Sequence, residues 1–356
     1  MVKKYIDSKM QGSREFPFCQ WRRKAILKLP VILFLLLFFW SSATVYAQVP
    51  KKVPFPFSPI GINSLPWLVA KEARVPEKYG IDFDPVFIGA SAVMFQSMLS
   101  GAANFAGSGG PSVISNVLRG GDIIQITAMV PRFTQSVIVR PEIRKPEDMM
   151  GKKFGVSRLG TATHFALQTA IDSQGLKGVT ILQLGGQPEA LAGLMRGSVD
   201  GAVFSPPYNF QLKKQGYNEL FSPNDLQKVT EFITNGIVGR RSVAEKDKDT
   251  IIRVIKFTAE SIKLIQTDRE FTKKVIMKWM PVKDADLLEQ VYRFATENYS
   301  KEGFVPEGAL RSTIKQMMQS NLIEAQAAAA TPVTAYYDNR YVEEVKRSGF
   351  FDQLWR

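Results

Sequence analysis

The chain of 356 residues is 45% apolar and 22% charged, with a formal net charge of +13, one cysteine and one histidine. That length and apolar fraction support a real core in roughly two domains, and exclude a disordered, collagen-like or disulfide-stapled chain. A single cysteine makes no internal disulfide or CxxC pair, and a single histidine makes no HExxH helix or multi-histidine metal centre.

The N-terminus reads as a secretory signal. Basic residues from Lys3 to Lys28 precede the apolar run VILFLLLFFW (Val31–Trp40), and Val45-Tyr46-Ala47 fits the small-x-small rule for signal peptidase. Cleavage after Ala47 and export to the periplasm are expected. The alternative is an uncleaved anchor, since Leu29–Ala47 spans nineteen residues and a membrane span needs about twenty. Residues 1–47 hold eight of the 46 Lys and Arg and two of the 33 Asp and Glu, which leaves a net charge of +7 on the rest. With no dense basic run or aromatic-rich binding signature, nucleic acid is not an expected partner. Cys19 lies within this leader, so the mature chain has no cysteine.

Lys51–Pro59 reads as a Pro-rich leader and Ile60–Asn63 as the end of a first strand. Ser64-Leu65-Pro66 opens a helix expected over 67–78, with Gly80 closing it and a strand over Ile81–Gly89. An internal repeat follows. GASAVMFQSMLSGAANFAGSGGP (Gly89–Pro111) aligns with GGQPEALAGLMRGSVDGAVFSPP (Gly185–Pro207): strand end, amphipathic helix, Gly101 or Gly197, Asn104 or Asp200, short strand and small-residue turn. One supersecondary unit used twice implies two similar α/β lobes. Between the copies, ITAMV and SVIVR read as strands, Lys153–Ser157 as another, and RLGTATH as a turn opening a helix; VTILQLG precedes the second copy as a strand. EFITNGIVGRR (Glu231–Arg241) leads back towards the first lobe, and helices are expected near 242–266, 268–279, 284–298 and 306–329.

These segments together resemble the bacterial solute-binding proteins of the nitrate, sulfonate, taurine and thiamine-precursor importers. The residues that carry the resemblance are AKEARVPEKYGIDFDPVFIGAS, SMLSGAANFAGSG, RKPEDMMGKKFGVSRLGTATH, LAGLMRGSVDGAVFSPP and AYYDNRYVEEV, in that order over nearly the whole mature chain. The resemblance implies an α/β, type II periplasmic-binding-protein fold with two lobes, a ligand cleft, a two-segment hinge and delivery to a membrane ABC permease. It divides the chain into a signal peptide (1–47), a discontinuous lobe I (48–135 plus 238–356) and lobe II (136–237). Two departures stand out: Asn104 occupies a place where the family often has an acid, and the cysteine-rich motif of the eukaryotic pyrimidine-making members is missing.

The cleft is expected to bind rather than to react. Each strand-to-helix turn offers helix N–H groups at the carboxyl edge of a sheet, which suits an anionic or heteroaromatic ligand. The expected contacts are Ser64, Trp67, Ser91, Ser108, Gly109, Thr134, Thr161, Thr163, His164, Ser205 and Tyr208, with Arg132 and Arg158 at the flanks and Phe133 and Phe204 as further aromatics. No cofactor or metal is called for, and a monomer suits a cleft that opens and shuts. A secreted ligand-sensing domain of the same fold is the alternative. The turn AGSGG also resembles a relaxed nucleophile elbow with Ser108 as nucleophile. It would need a histidine base late in the chain, and residues 165–356 contain none, leaving only His164.

Overall fold

The computed structural model describes residues 49–88 and 91–356, and of Ser91 and Ala92 the backbone only; the expected signal peptide lies outside the described residues. Ten strands form two five-stranded sheets. In chain order they are β1 (Lys51–Phe57), β2 (Ile81–Phe87), β3 (Phe105–Ser108), β4 (Ile123–Gln125), β5 (Ser136–Val139), β6 (Lys153–Val156), β7 (Thr180–Gln183), β8 (Gly201–Phe204), β9 (Asn218–Phe221) and β10 (Gly236–Arg240). The first sheet has the order β2-β1-β3-β10-β4 and the second β7-β6-β8-β5-β9. In each, four strands run in one direction and a single antiparallel strand lies between two of them, β10 between β3 and β4 and β5 between β8 and β9.

The expected Pro-rich leader is β1 itself. Lys51 donates to the Gly80 carbonyl and the Phe57 carbonyl accepts from Ile88, so odd-numbered residues of β1 direct their polar groups to the β2 side. Pro54 and Pro56 face the other way, where β3 pairs with β1 only at Phe57, and their missing N–H groups cost no ladder bond. Ile60–Asn63, read as the end of the first strand, lies beyond β1, and Ile62–Ser64 is a turn of 3-10 helix. The helix expected over 67–78 is Leu65–Glu72 followed by a 3-10 segment, Val75–Tyr79, because Arg74 takes a left-handed conformation ahead of Pro76. ITAMV is not a strand either: β4 ends at Gln125, and Ile126 to Val130 begins the crossing to the second sheet. The helices expected at 242–266 and 306–329 are each split, into Arg241–Lys246 and Lys248–Thr267, and into Glu307–Gln319 and Ala325–Ala330.

Both repeat copies adopt strand, helix, strand, turn, helix. Gly101 and Gly197 close their helices with φ of +84° and +74°, where a side chain would be strained. Each also lies beside one arginine guanidinium, Arg240 for Gly101 and Arg140 for Gly197. Of four core clusters the two largest are unequal. One packs β1 and β2 under the helices Leu65–Glu72 and Lys248–Thr267. The other joins strands of the second sheet to Phe133, Phe232, Leu310, Met317 and Tyr336, so the C-terminal helices contribute to both.

Two segments cross between the sheets, one after β4 and one before β10. They pair with each other: Val130 donates to the Asn235 carbonyl at 2.8 Å, Thr234 donates to the Val130 carbonyl at 3.0 Å, and the Thr234 hydroxyl donates to the Arg132 carbonyl at 2.6 Å. Phe133 and Phe232, one from each crossing, stack with centroids 4.4 Å apart and an 8° interplanar angle.

Candidate functional site

The parallel strands of each sheet end at the same edge, so their strand-to-helix turns collect there. On the first sheet these are the turns after β1, β2 and β3, joined by the start of antiparallel β10. On the second they are the turns after β6, β7 and β8, joined by the start of β5. The edges approach each other: a Cβ on Gly61, after β1, would lie 4.0 Å from the Pro206 carbonyl, after β8. The helix Tyr208–Lys214 then reaches the Ala285–Asn298 helix, with Phe210 and Phe294 edge-on at 5.9 Å and Lys214 Nζ 2.7 Å from Asp284 Oδ2.

At the first edge, Ser64 is buried and its hydroxyl donates to the Pro59 carbonyl at 2.7 Å, so it holds its own turn. Its neighbour Asn63, overlooked in the sequence, is buried with Oδ1 unpartnered among the described residues. The Asn63 carbonyl accepts from Asn235 Nδ2 at 3.0 Å, and the Tyr299 hydroxyl donates to the Ile62 carbonyl. Ser108 ends β3, buried, with its carbonyl 3.4 Å from Gln125 Nε2. Gly109 must be small: a Cβ there would meet the Thr234 carbonyl at 2.5 Å. Ser91 starts its helix at this edge, but its side chain lies outside the described residues. Trp67 is placed differently. It is 0% exposed, its ring lies 4.9 Å from Phe55 and it covers Gly107, within the core rather than at the edge.

At the second edge Ser157, Thr161 and Thr163 form a triangle of hydroxyls with sides of 2.8 to 3.0 Å. The Thr163 hydroxyl also accepts from the Ser157 N–H, and the Thr161 hydroxyl lies 2.7 Å from the Arg158 carbonyl. Ser157 had no signal of its own beyond ending a strand. Ser205 is buried and its N–H donates to Gln187 Oε1 at 2.8 Å. Tyr208 is half-buried, and burial with the nearby Glu189 carboxylate pushes its phenol pKa up. Thr134 lies on the crossing, buried and bonded to Gln135 at 3.1 Å. Phe133 and Phe204 are fully buried, Arg158 is exposed, and Arg132 is partly exposed, 3.5 Å from Asn298 Oδ1.

His164 sits in the first turn of the Ala162–Ser173 helix, buried, and Nδ1 accepts from the Gly160 N–H at 3.4 Å. Burial holds its pKa below the usual 6.5, and the positive helix end also opposes an imidazolium. The unfolded chain therefore binds this proton more tightly. The stabilising contribution is complete above about pH 7 and is lost as pH falls through 6.5 towards the lower folded value. Melting temperatures between pH 8 and 5.5 should fall on the acid side, and His164→Gln should flatten that part of the profile.

The electrostatics of both edges favour an anion. The helices Leu65–Glu72, Gly110–Leu118 and Ala162–Ser173 have no acid in their first turns and no side-chain cap. By contrast Pro223–Val229, Arg269–Trp279 and Ala285–Asn298 are capped by Ser222, Asp268 and Asp284. The facing edges thus present positive helix ends and mostly neutral donors, with Glu189 in the first turn of the Gln187–Met195 helix as the acid at the second edge. Among the described residues no group of three or more His, Cys, Asp or Glu is placed to hold a metal, and no helix is long and apolar enough to cross a membrane.

The model of the NMT1/THI5-like family matches residues 62–270. The taurine-binding periplasmic protein of Escherichia coli K12 is 36% identical over 85 residues, which are 23% of this chain and 26% of that relative. Among solved structures, the periplasmic aliphatic sulphonate-binding protein SsuA of Escherichia coli superposes with a TM-score of 0.65 at 21% identity, over 77% of this chain and 94% of that one. The periplasmic nitrate-binding protein NrtA of Synechocystis PCC 6803 gives 0.69 at 11% identity, over 84% and 89%. The fold is that of the periplasmic binding proteins.

Proposed function

The chain belongs to the NMT1/THI5-like family, and from that premise we propose that it is an extracytoplasmic solute-binding protein which captures a small organic anion between its two sheets and delivers it to a membrane ABC importer. The observation that carries this reading is the pair of facing edges, where uncapped helix starts and buried hydroxyls meet without an acid in those first turns. Such ends bind a sulfonate, carboxylate or similar head through backbone N–H groups and need no fixed countercharge. The names of the taurine-, sulphonate- and nitrate-binding relatives agree with that head group.

Two lobes, 48–135 with 238–356 and 136–237, would close by bending at the paired crossings, where the stacked Phe133 and Phe232 make a compact pivot. Ser64, Ser108, Gly109, Thr161, Thr163, His164 and Ser205 would line or shape the closed cleft. Trp67 would act from behind, by fixing the β3 strand. We read the chemistry as binding without turnover, with the Nδ1 lone pair of His164 already taken by the Gly160 N–H.

A thermal-shift panel of nitrate, taurine, alkanesulfonates, carboxylates and pyrimidines tests the reading. A true ligand at a hundred times its Kd stabilises the fold by about 2.7 kcal/mol. We expect a stabilising hit among the organic anions and no chemical change in the recovered compound. Unchanged melting across the whole panel would remove the proposal.

A further inference from the structure

Resting on the solute-binding reading just given, we infer that Phe210 is a positioning residue: it holds the two lobes together through a contact between helices and so raises the affinity for the ligand. The Tyr208–Lys214 helix has two apolar sides, because residues two apart on a helix point about 200° from one another. Leu212 is fully buried in a cluster of the second sheet, with Ile138, Ala202 and Phe204. Phe210 instead packs against the core cluster of the first sheet, where its ring meets that of Phe294 edge-on at 5.9 Å. An aromatic of one lobe is thus seated on the hydrophobic core of the other, in a geometry that aromatic pairs favour.

Both helices are fixed within their own lobes. Asn209 Nδ2 donates to the Ser136 hydroxyl at 3.0 Å, that hydroxyl donates to Glu219 Oε1 at 2.6 Å, and Lys213 pairs with Glu219, which ties the first helix to β5 and β9. The Ala285–Asn298 helix places Leu287, Val291 and Ala295 in the core of the first lobe, and the Tyr299 hydroxyl just beyond it donates to the Ile62 carbonyl. Ile62 adjoins Gly61, and Pro206 lies two residues ahead of Tyr208. Each helix is therefore joined at one end to one of the two turns that meet at Gly61 and Pro206. Parting those turns carries Phe210 away from Phe294, and Lys214 away from Asp284, 2.7 Å distant. The contact is present when the edges are close and is given up when they separate. A contact made in only one of two arrangements shifts the population towards it, and apparent affinity follows the binding-competent fraction. The ion pair is about half exposed, so it adds less than the rings and weakens with salt.

The test reads lobe separation and affinity independently. Spin labels on one exposed position of each lobe, Ser100→Cys and Gln174→Cys in a Cys19→Ser background of the full-length chain, report the interlobe distance by double electron–electron resonance without ligand. We expect Phe210→Ala to lengthen and broaden that distance, and Phe210→Tyr to leave it as in the parent. Binding of taurine, ethanesulfonate and nitrate is then measured by calorimetry and stopped flow. For each probe that binds, Phe210→Ala should raise Kd about tenfold, mainly through faster release. Lys214→Glu sets two carboxylates against each other at an exposed site and should act in the same direction to a smaller extent. It keeps the test decisive if alanine at 210 unfolds the chain, which melting curves check. An unchanged distance in folded Phe210→Ala would overturn the inference and leave the solute-binding reading standing, and so would an unchanged or lower Kd. Failure of every probe, together with a flat organic-anion panel, would overturn the solute-binding reading, while the distance in the unliganded chain would still decide whether Phe210 holds the lobes.

Discussion

Replacing Gly236 by alanine is expected to cost at least about 3 kcal/mol and to weaken ligand binding at the same time. Gly236 opens β10, the returning crossing strand, and a Cβ there would lie 1.8 Å from the Thr127 carbonyl oxygen and 2.9 Å from Gln125 Nε2. Neither neighbour yields easily: one is backbone of the other crossing, and Gln125 Nε2 already donates to the Thr127 carbonyl at 2.8 Å. The two crossings must therefore separate, and overpacking of this kind against backbone stands at the upper end of single-residue effects. Asn235 would move with its neighbour and loosen its 3.0 Å bond to the Asn63 carbonyl, which couples the stability loss to the site. Urea unfolding should show a lower midpoint with an unchanged slope. Gly120→Ala is the control. Its φ is +77° with no atom within 4 Å of the new Cβ, so only the backbone penalty of about 1 kcal/mol applies. Equal effects at the two glycines would show that the Gly236 contact does not constrain the crossing.

Trp67→Ala should destabilise the chain by about 3–5 kcal/mol, the range for emptying a large aromatic from a core. The ring is fully enclosed and lies on the one residue of β3 that can admit it, since a Cβ on Gly107 would fall 2.1 Å from the indole. Gly107→Ala should be comparably harmful in the parent and much less so in the Trp67→Ala background, because the added methyl then partly fills the space the indole leaves. A double-mutant cycle in denaturant measures this coupling. Additive losses would mean that the two residues are not packed as the structure has them. The cycle also separates the two roles open to Trp67. A residue that only touched ligand would lower affinity without moving the unfolding midpoint.

Much of the site was readable as punctuation. The Gly-Ser and Ser-Pro-Pro bends, the repeated strand–helix–strand unit and the uncharged helix starts were apparent from spacing, because turns and helix ends are governed by local chemistry. Two kinds of feature escaped. Asn63 carries no local mark that separates it from other polar turn residues, and its importance comes from Asn235, 172 positions away. Ser157 has near partners, Thr161 and Thr163, but which hydroxyls of a turn converge is set by side-chain geometry that spacing leaves open. Trp67 stood beside a turn and invited a ligand role, yet its helix faces inwards over Gly107. The Pro54 and Pro56 pair argued against a strand, and only the direction of its hydrogen bonds explains why β1 tolerates both.

The amino-acid order alone decided most of the alternation of strands and helices, the places where the backbone must bend and the lack of acid in the first turns of Leu65–Glu72, Gly110–Leu118 and Ala162–Ser173, since each follows from residues within a few positions of one another. Only the folded chain decided which edges face each other and which hydroxyls are used up holding turns. The facing of the edges depends on segments more than a hundred residues apart, as Gly61 and Pro206 are, and the hydroxyl bonds on side-chain geometry within each turn; no local propensity encodes either.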